Sequence, residues 1–176
     1  STTASLIHAI LSRVYPDVRL VGNIGRPALD YLDAADKKTL FVIELSSYQL
    51  EDIRYGPHVA VILDVVPEHL DRYRDFETYV SAKSQIVRFQ SAADYVIFNP
   101  IHKIPAKIAS QSSGHKVCFS PNFPLPIPDV PLLGQGNREN CWAAITTAKI
   151  LGVPSSAIRQ AMKNFKPLPH RLEKIG

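Results

Sequence analysis

Apolar residues along the chain follow two different periodicities, and each predicts a different kind of element. Near the start, Leu6, Ile10 and Leu11 recur at helical spacing and predict an amphipathic helix with one apolar face. At residues 40–43, four apolar residues follow one another directly before Glu44. An uninterrupted apolar run of this kind predicts a strand that is buried on both faces, as in a parallel sheet.

Similar runs and periodic stretches divide most of the chain into strands and helices. Further strands are predicted at residues 18–21, 58–64, 94–99 and 116–119. Further helices are predicted at residues 27–35, 75–90, 103–111, 137–151 and 155–165. Residues 120–131 contain five prolines, so we expect a stiff, extended connection there. The alternation predicts an α/β fold with a three-layer, mostly parallel sheet flanked by helices.

Glu44 stands at the carboxyl end of the predicted strand at residues 40–43. In open α/β sheets, ligands bind at the carboxyl ends of the strands, so Glu44 is placed to hold a metal or a substrate. The other interpretation is that it ends the strand and faces water. Asn23 lies between Gly22 and Gly25, and these glycines either let the backbone approach a ligand closely or make a tight turn.

Two further residues carry candidate chemistry. His69 follows the predicted strand at residues 58–64, and it is a metal ligand, a general base, a phosphate contact or a hydrogen-bonded structural residue. Lys83 falls on the apolar stripe of the helix predicted at residues 75–90. Its side chain either extends to water or is desolvated, which lowers its pKa and lets the neutral amine react with carbon dioxide. The resulting carbamate behaves as a carboxylate toward Mg²⁺.

Composition limits the classes of function. The chain has 176 residues, enough for one well-packed domain. Its net charge of +4 comes from scattered lysines and arginines, which argues against nucleic acid and is compatible with an anionic small-molecule substrate. Cys118 and Cys141 have neither zinc-site nor disulfide-framework spacing, so a reducing compartment is expected. No apolar run approaches the roughly 20 residues of a membrane span.

Seven blocks along the chain resemble, in order, the central domain of the Mur ligases. These ATP-dependent enzymes form amide bonds in peptidoglycan precursor synthesis. The blocks are Ser1-Thr2-Thr3, Gly22-Asn23-Ile24-Gly25-Arg26-Pro27-Ala28-Leu29, Glu44-Leu45-Ser46-Ser47-Tyr48-Gln49-Leu50-Glu51, His69-Leu70-Asp71-Arg72-Tyr73, Tyr79 through Lys83, Asn137 with Asn140, and Leu168-Pro169-His170-Arg171-Leu172-Glu173. The second and third blocks are similar to the branch of the family that adds D-glutamate.

The resemblance implies a fold and a reaction. The fold is a P-loop-type mononucleotide-binding domain. The implied substrates are ATP, UDP-N-acetylmuramoyl-L-alanine and D-glutamate, and the implied cofactors are two Mg²⁺ ions and a carbamylated lysine. The substrate carboxylate attacks the γ-phosphate to form an acyl phosphate, and the amine of D-glutamate then displaces phosphate. We expect a cytoplasmic monomer that has neither a membrane nor a nucleic acid as its partner.

The resemblance assigns the metal and catalytic roles. Glu44 and His69 resemble Mg²⁺ ligands, and Lys83 matches the lysine that the family carbamylates. Together with Arg171, which matches an arginine near the γ-phosphate, they form the implied catalytic set. The hydroxyl of Ser1 resembles the phosphate-loop hydroxyl that holds Mg²⁺ beside ATP.

The resemblance also assigns the contacts to the nucleotide and the sugar substrate. Thr2 lies at a helix N-terminus, where backbone amides favour anions. The implied ATP contacts are Ser1, Thr2, Asn137, Asn140 and Arg171. The implied contacts to the UDP-muramoyl substrate are Asn23, Ser46, Gln49 and His69.

The resemblance places residues 1–167 in the central, ATP-binding domain and residues 168–176 at the start of the C-terminal ligase domain. The glycine-rich part of the phosphate loop and its lysine would precede Ser1, so we expect weak or no ATP turnover by this chain alone. Gly136 stands where the family has a histidine. The alternatives are a sister Mur ligase or a folylpolyglutamate-type ligase, and a catalytically silent Mur-like binding module.

Overall fold

The computed structural model describes residues 2–68, 71–119 and 134–166, with the side chain of Leu32 excepted. The predicted proline-rich connection at residues 120–131 lies outside this part. The chain divides into two compact units. The first contains the described residues of Ser1–Glu44 and Pro121–Gly176, and the second contains those of Leu45–Ser120.

Helices and strands alternate along the described chain. The helices are α1 (Thr2–Leu11), α2 (Ser47–Glu51), α3 (Phe76–Arg88), α4 (Lys103–Ser110), α5 (Gln135–Ile150) and α6 (Ser155–Lys163). The strands are β1 (Val18–Gly22), β2 (Leu40–Glu44), β3 (Val59–Ile62), β4 (Tyr95–Phe98) and β5 (His115–Cys118). A 3₁₀ helix, Ala28–Ala34, lies between β1 and β2.

The first unit is built around helix α1. Its predicted apolar stripe is buried, with Leu6 and Ile10 fully inaccessible to solvent. Helix α1 packs against α5, α6 and the strands β1 and β2. These strands pair in parallel, in a register that places Gly22 opposite Glu44. The register brings the carboxyl ends of both strands to the same edge of the sheet.

Strand β2 is less covered than the apolar run at residues 40–43 predicts. Val42 is buried, but Ile43 is 51% exposed. Within the described residues, β2 pairs with β1 alone. A run of four apolar residues does not by itself specify how many covering layers surround a strand, and the prediction of a strand buried on both faces is therefore wrong for Ile43.

The helix predicted at residues 27–35 is present as a 3₁₀ helix, Ala28–Ala34. Arg19 donates hydrogen bonds to two carbonyls of this segment, those of Tyr31 at 3.0 Å and Ala34 at 2.6 Å. The same guanidinium is paired with Asp17 at 2.8 Å. Arg19 therefore ties the 3₁₀ segment to strand β1.

The second unit contains the parallel sheet β3-β4-β5 with helices α2, α3 and α4. Its core includes Val96 from β4, Ile108 from α4 and Val87 from α3, all fully buried. The predicted stripe on α3 is confirmed, since Tyr79 and Val80 also lie in this core. Parallel strands flanked by helices confirm the predicted α/β class.

Two negative findings bear on the composition. No helix in the described residues is long and apolar enough to cross a membrane. Both cysteines are free, Cys118 exposed and Cys141 buried.

Candidate functional site

Asn23 and Glu44 meet where strands β1 and β2 end. The backbone N–H of Asn23 donates to the carbonyl oxygen of Glu44 at 2.8 Å. Gly22 has φ = 102°, and a Cβ at this position would stand 2.2 Å from the same carbonyl. This close approach to strand β2 requires glycine at position 22. The two predicted site residues therefore lie side by side in the first unit.

Two of the residues predicted to contact ATP, Asn137 and Asn140, are linked to the first turn of α1. Thr2 begins α1 and is buried. The hydroxyl of Thr3 donates to Oδ1 of Asn140 at 2.7 Å, and Nδ2 of Asn140 donates to Oδ1 of Asn137 at 3.2 Å. This chain of side chains joins the first turn of α1 to the first two turns of α5. Thr3 was missed as a site residue by the sequence reasoning, because no local pattern links positions 137 residues apart.

The first turn of α5 contains Gly136, which has open space beside it within the described residues. Among the described residues, no heavy atom lies within 4 Å of the position that a Cβ of Gly136 would take. The N-cap, Gly134, provides no side-chain hydrogen bond to the helix. No described residue therefore obstructs a larger side chain at residue 136, where the family that the sequence resembles has histidine.

Ser46 and Gln49 form a capping box at the start of α2. Ser46 Oγ accepts from the backbone N–H of Gln49 at 3.3 Å, and Gln49 Oε1 accepts from the backbone N–H of Ser46 at 2.9 Å. Reciprocal bonds of this kind satisfy two donors at a helix start that have no partner in the helix. Both residues thus have a structural role, which leaves their predicted contact with substrate as a prediction.

Lys83 is half-buried on α3. Its Nζ lies 4.8 Å from the centroid of the Tyr79 ring. Burial lowers the pKa of Lys83 from its ordinary value, and the negative charge of Glu68 opposes this shift. A lowered pKa raises the fraction of the neutral amine, which is the form that reacts with carbon dioxide.

Tyr79 connects Lys83 to an aromatic cluster that the sequence reasoning did not predict as a unit. Burial, followed by the charge of Glu68, raises the pKa of Tyr79 to about 12. Its hydroxyl donates to Oε2 of Glu68 at 3.3 Å, and its ring contacts Tyr73 edge-on. Tyr73 stacks on Tyr48 with centroids 5.7 Å apart. The sequence contained one hint of this cluster, because three of the blocks that resemble the Mur ligases each contain one of these tyrosines.

A groove of about 360 Å³ lies on the second unit beside this cluster. Its walls come from α2, the segment before α3 and the outer face of α3. The lining residues are Glu51, Arg72, Tyr73, Arg74, Thr78, Ser81, Ala82 and Gln85. None of these residues belongs to the predicted site.

Several predicted site residues lie outside the described part of the chain. They are Ser1, His69 and Arg171. Within residues 2–68, 71–119 and 134–166, no group of three His, Cys, Asp or Glu side chains could hold a metal ion. Of the predicted metal ligands, the described residues contain Glu44 and Lys83. Asp64, at the exit of β3, lies 3.4 Å from Nδ1 of His102.

Comparison with known proteins identifies the family. The sequence matches the Mur ligase middle domain over residues 1–122. A UDP-N-acetylmuramoylalanine–D-glutamate ligase from Acidobacterium capsulatum is 36% identical over 202 residues, which cover 100% of this chain and 44% of that protein. The ligase of the same name from Streptococcus agalactiae is 34% identical, with coverage of 100% and 43%. The chain thus spans less than half the length of these relatives.

Solved structures show the same fold. MurF from Acinetobacter baumannii superimposes with a TM-score of 0.75 at 20% identity, covering 98% of this chain and 45% of that one. An FPGS–AMPPCP complex superimposes with a TM-score of 0.72 at 15% identity, covering 99% and 63%. The parallel α/β architecture is therefore shared with both of these proteins. Because the middle-domain match covers more than half of this chain, the chain belongs to the Mur ligase family.

Proposed function

We propose that this chain is the central domain of an ATP-dependent ligase that joins D-glutamate to UDP-N-acetylmuramoyl-L-alanine in peptidoglycan precursor synthesis. The observation that carries the proposal is the hydrogen-bonded chain from Thr3 through Asn140 to Asn137, beside the buried N-terminus of α1. The choice of D-glutamate is supported by relatives of that name, which are 30–36% identical over essentially the whole chain. We also propose that the ligase is a cytoplasmic monomer.

ATP would bind at the N-terminal ends of α1 and α5. Helix N-termini expose backbone N–H groups and the positive end of the helix dipole, and they attract phosphate. Thr2 stands at the first of these ends. Asn137 and Asn140, three residues apart on α5, present amides that can both donate to and accept from a base. Ser1 and Arg171 complete the proposed ATP-binding set.

The residues available for Mg²⁺ fit a hard cation. Glu44 offers carboxylate oxygens, the ligand type that Mg²⁺ prefers, at a strand exit where ligands bind in this class of fold. Lys83, with its pKa lowered by burial, can become a carbamate that offers two more oxygens. We propose that Ser1, Glu44, His69 and carbamylated Lys83 hold two ions. Bound Mg²⁺ would offset the repulsion between the carboxylate and the phosphates.

The proposed reaction has two steps. A carboxylate oxygen of the substrate attacks the γ-phosphorus, the bond to the β-phosphate oxygen breaks, and ADP leaves. The amine of D-glutamate then attacks the carbonyl carbon of the acyl phosphate, and inorganic phosphate leaves with the original carboxylate oxygen. Arg171 would offset negative charge near the γ-phosphate. Asn23, Ser46, Gln49 and His69 would hold the UDP-muramoyl substrate in position for the attack.

The test is a phosphate-release assay with the full-length gene product, ATP and a matrix of acceptors and amino acids. The proposal predicts release that requires both UDP-N-acetylmuramoyl-L-alanine and D-glutamate. Preference for L-glutamate with a folate would indicate a folylpolyglutamate-type ligase, and preference for another amino acid would indicate a sister Mur ligase. Binding of the UDP substrate without phosphate release would indicate a silent binding module. Each of these three results would refute the proposal.

A further inference from the structure

We propose that Thr3 is a positioning residue of the nucleotide site, one that orients the amides of Asn140 and Asn137 toward ATP. This inference rests on the proposed function, since it assumes that the two asparagines contact the nucleotide. Thr3 itself is 7% exposed and would act on ATP only through Asn140.

The geometry supports a directed chain. The Thr3 hydroxyl donates to Oδ1 of Asn140 at 2.7 Å, the usual length of an O–H···O hydrogen bond. The Nδ2 of Asn140 in turn donates a hydrogen bond to Oδ1 of Asn137 at 3.2 Å. Residues three apart lie on the same helix face, so Asn137 and Asn140 share one face of α5.

An asparagine amide needs this kind of support to recognise a base. Its carbonyl and amino ends are nearly the same shape but have opposite hydrogen-bonding character. A rotation of the amide would present the wrong group to the ligand. Thr3 donates to the carbonyl end of the Asn140 amide, and Asn137 accepts from its amino end. These two bonds fix the orientation of the Asn140 amide before ATP binds, which reduces the entropy lost on binding.

Packing alone does not explain the hydroxyl of Thr3. Helices α1 and α5 pack against each other, and each has buried apolar residues, among them Leu6 on α1 and Ala144 on α5. Thr147, also buried on α5, illustrates the alternative arrangement, since its hydroxyl donates to the carbonyl of Ala143 in its own helix at 2.8 Å. Thr3 instead directs its hydroxyl to a side chain of the other helix.

The test compares Thr3→Val, which removes the hydroxyl at constant shape, with Thr3→Ser, which retains it. Thr147→Val is the matched control, a buried threonine outside the site. Binding of the non-hydrolysable analogue AMPPNP with Mg²⁺ is measured by calorimetry in the full-length gene product. We expect Thr3→Val to weaken binding about fivefold or more, while Thr3→Ser and Thr147→Val stay within about twofold of wild type.

Steady-state kinetics separates positioning from general damage. For Thr3→Val we expect the KM for ATP to rise while kcat and the KM for the UDP substrate change little. Equal effects of Thr3→Val and Thr147→Val on AMPPNP binding, with wild type binding normally, would overturn the inference and leave the proposed function standing. Failure of the wild-type protein to bind AMPPNP would refute the proposed function, and the inference with it.

Discussion

At the scale of single residues, Ser46 and Gln49 show how one pair of side chains can serve both the fold and a ligand. The capping bonds occupy Ser46 Oγ and Gln49 Oε1. The Nε2 amino group of Gln49 can donate to a ligand at the same time, since the side chain is exposed. The structural role and the proposed substrate contact can therefore be separated by changing only one end of the amide.

Gln49→Glu makes this separation. A carboxylate oxygen retains the capping box and is favourable near a helix N-terminus, so we expect the free energy of unfolding to stay within about 0.5 kcal/mol of wild type. The lost donor and the added negative charge should raise the KM for the anionic UDP substrate about tenfold. Urea denaturation and steady-state kinetics check the two parts.

Gln49→Ala is the matched control, since it also removes the Oε1 acceptor of the backbone N–H of Ser46, which is one of the two capping bonds. We expect it to cost about 0.5–1 kcal/mol of stability. An unchanged KM for the UDP substrate in Gln49→Glu would contradict the proposed contact. Wild-type stability in Gln49→Ala would contradict the capping role.

Sequence reasoning at this scale succeeds for residues that are close along the chain. The resemblance pairs Asn137 with Asn140 in one block, and the structure joins their side chains directly. It fails for Thr3, whose partner is Asn140, because that contact depends on the packing of α1 against α5. The sequence gives the spacing of residues within one helix, but it does not show which residue of another helix each side chain contacts.

At the scale of elements, two glycines differ in whether the surrounding structure has room for a side chain. Gly136 lies in α5 with open space around its missing Cβ among the described residues. At Gly114 a Cβ would stand 2.5 Å from the carbonyl oxygen of Asp94. The first glycine weakens its helix, while the second is required by a close backbone approach.

The paired substitutions Gly136→Ala and Gly114→Ala test this distinction. We expect Gly136→Ala to stabilise the protein by about 0.5 kcal/mol, because alanine favours the helical conformation. Gly114→Ala should destabilise it by about 1–3 kcal/mol, because the backbone of Asp94 must move. Urea denaturation measures both, and changes of the same sign would contradict the assigned environments.

Hydrophobic patterning predicts which elements exist better than it predicts their surroundings. The stripe on α3 gives a helix whose Tyr79 and Val87 are buried as expected. The same reasoning is wrong for Ile43, because an apolar run does not specify the covering layers. It predicts a helix near Ala28–Ala34, but it does not distinguish the observed 3₁₀ helix from an α-helix.

At the scale of the whole molecule, the predicted site residues are divided between two units. The first unit contains Thr2, Asn23, Glu44, Asn137 and Asn140, and the second contains Ser46, Gln49 and Lys83. The division falls between Glu44 and Leu45, inside the block from Glu44 to Glu51 that resembles one motif of the family. The order of motifs predicted the family and the α/β class. It did not predict that boundary, because a motif records sequence and not which residues pack together.

The proposed ligase reaction requires residues from both units of the chain. Residues proposed to bind ATP lie in the first unit, and the lysine proposed to form a carbamate lies in the second. Amide-bond formation through an acyl phosphate would transfer an atom from the substrate carboxylate to phosphate, whereas a silent binding module would hold ligands without any transfer. A direct test must therefore follow an atom through the reaction and not only measure binding.

The most direct measurement follows ¹⁸O from the substrate carboxylate. The full-length gene product is incubated with ATP, D-glutamate and UDP-N-acetylmuramoyl-L-alanine labelled with ¹⁸O at both carboxylate oxygens, and the inorganic phosphate is analysed by mass spectrometry. Attack of the carboxylate on the γ-phosphate predicts one ¹⁸O atom in each phosphate released. Phosphate without ¹⁸O, or no amide product, would contradict the proposed ligase.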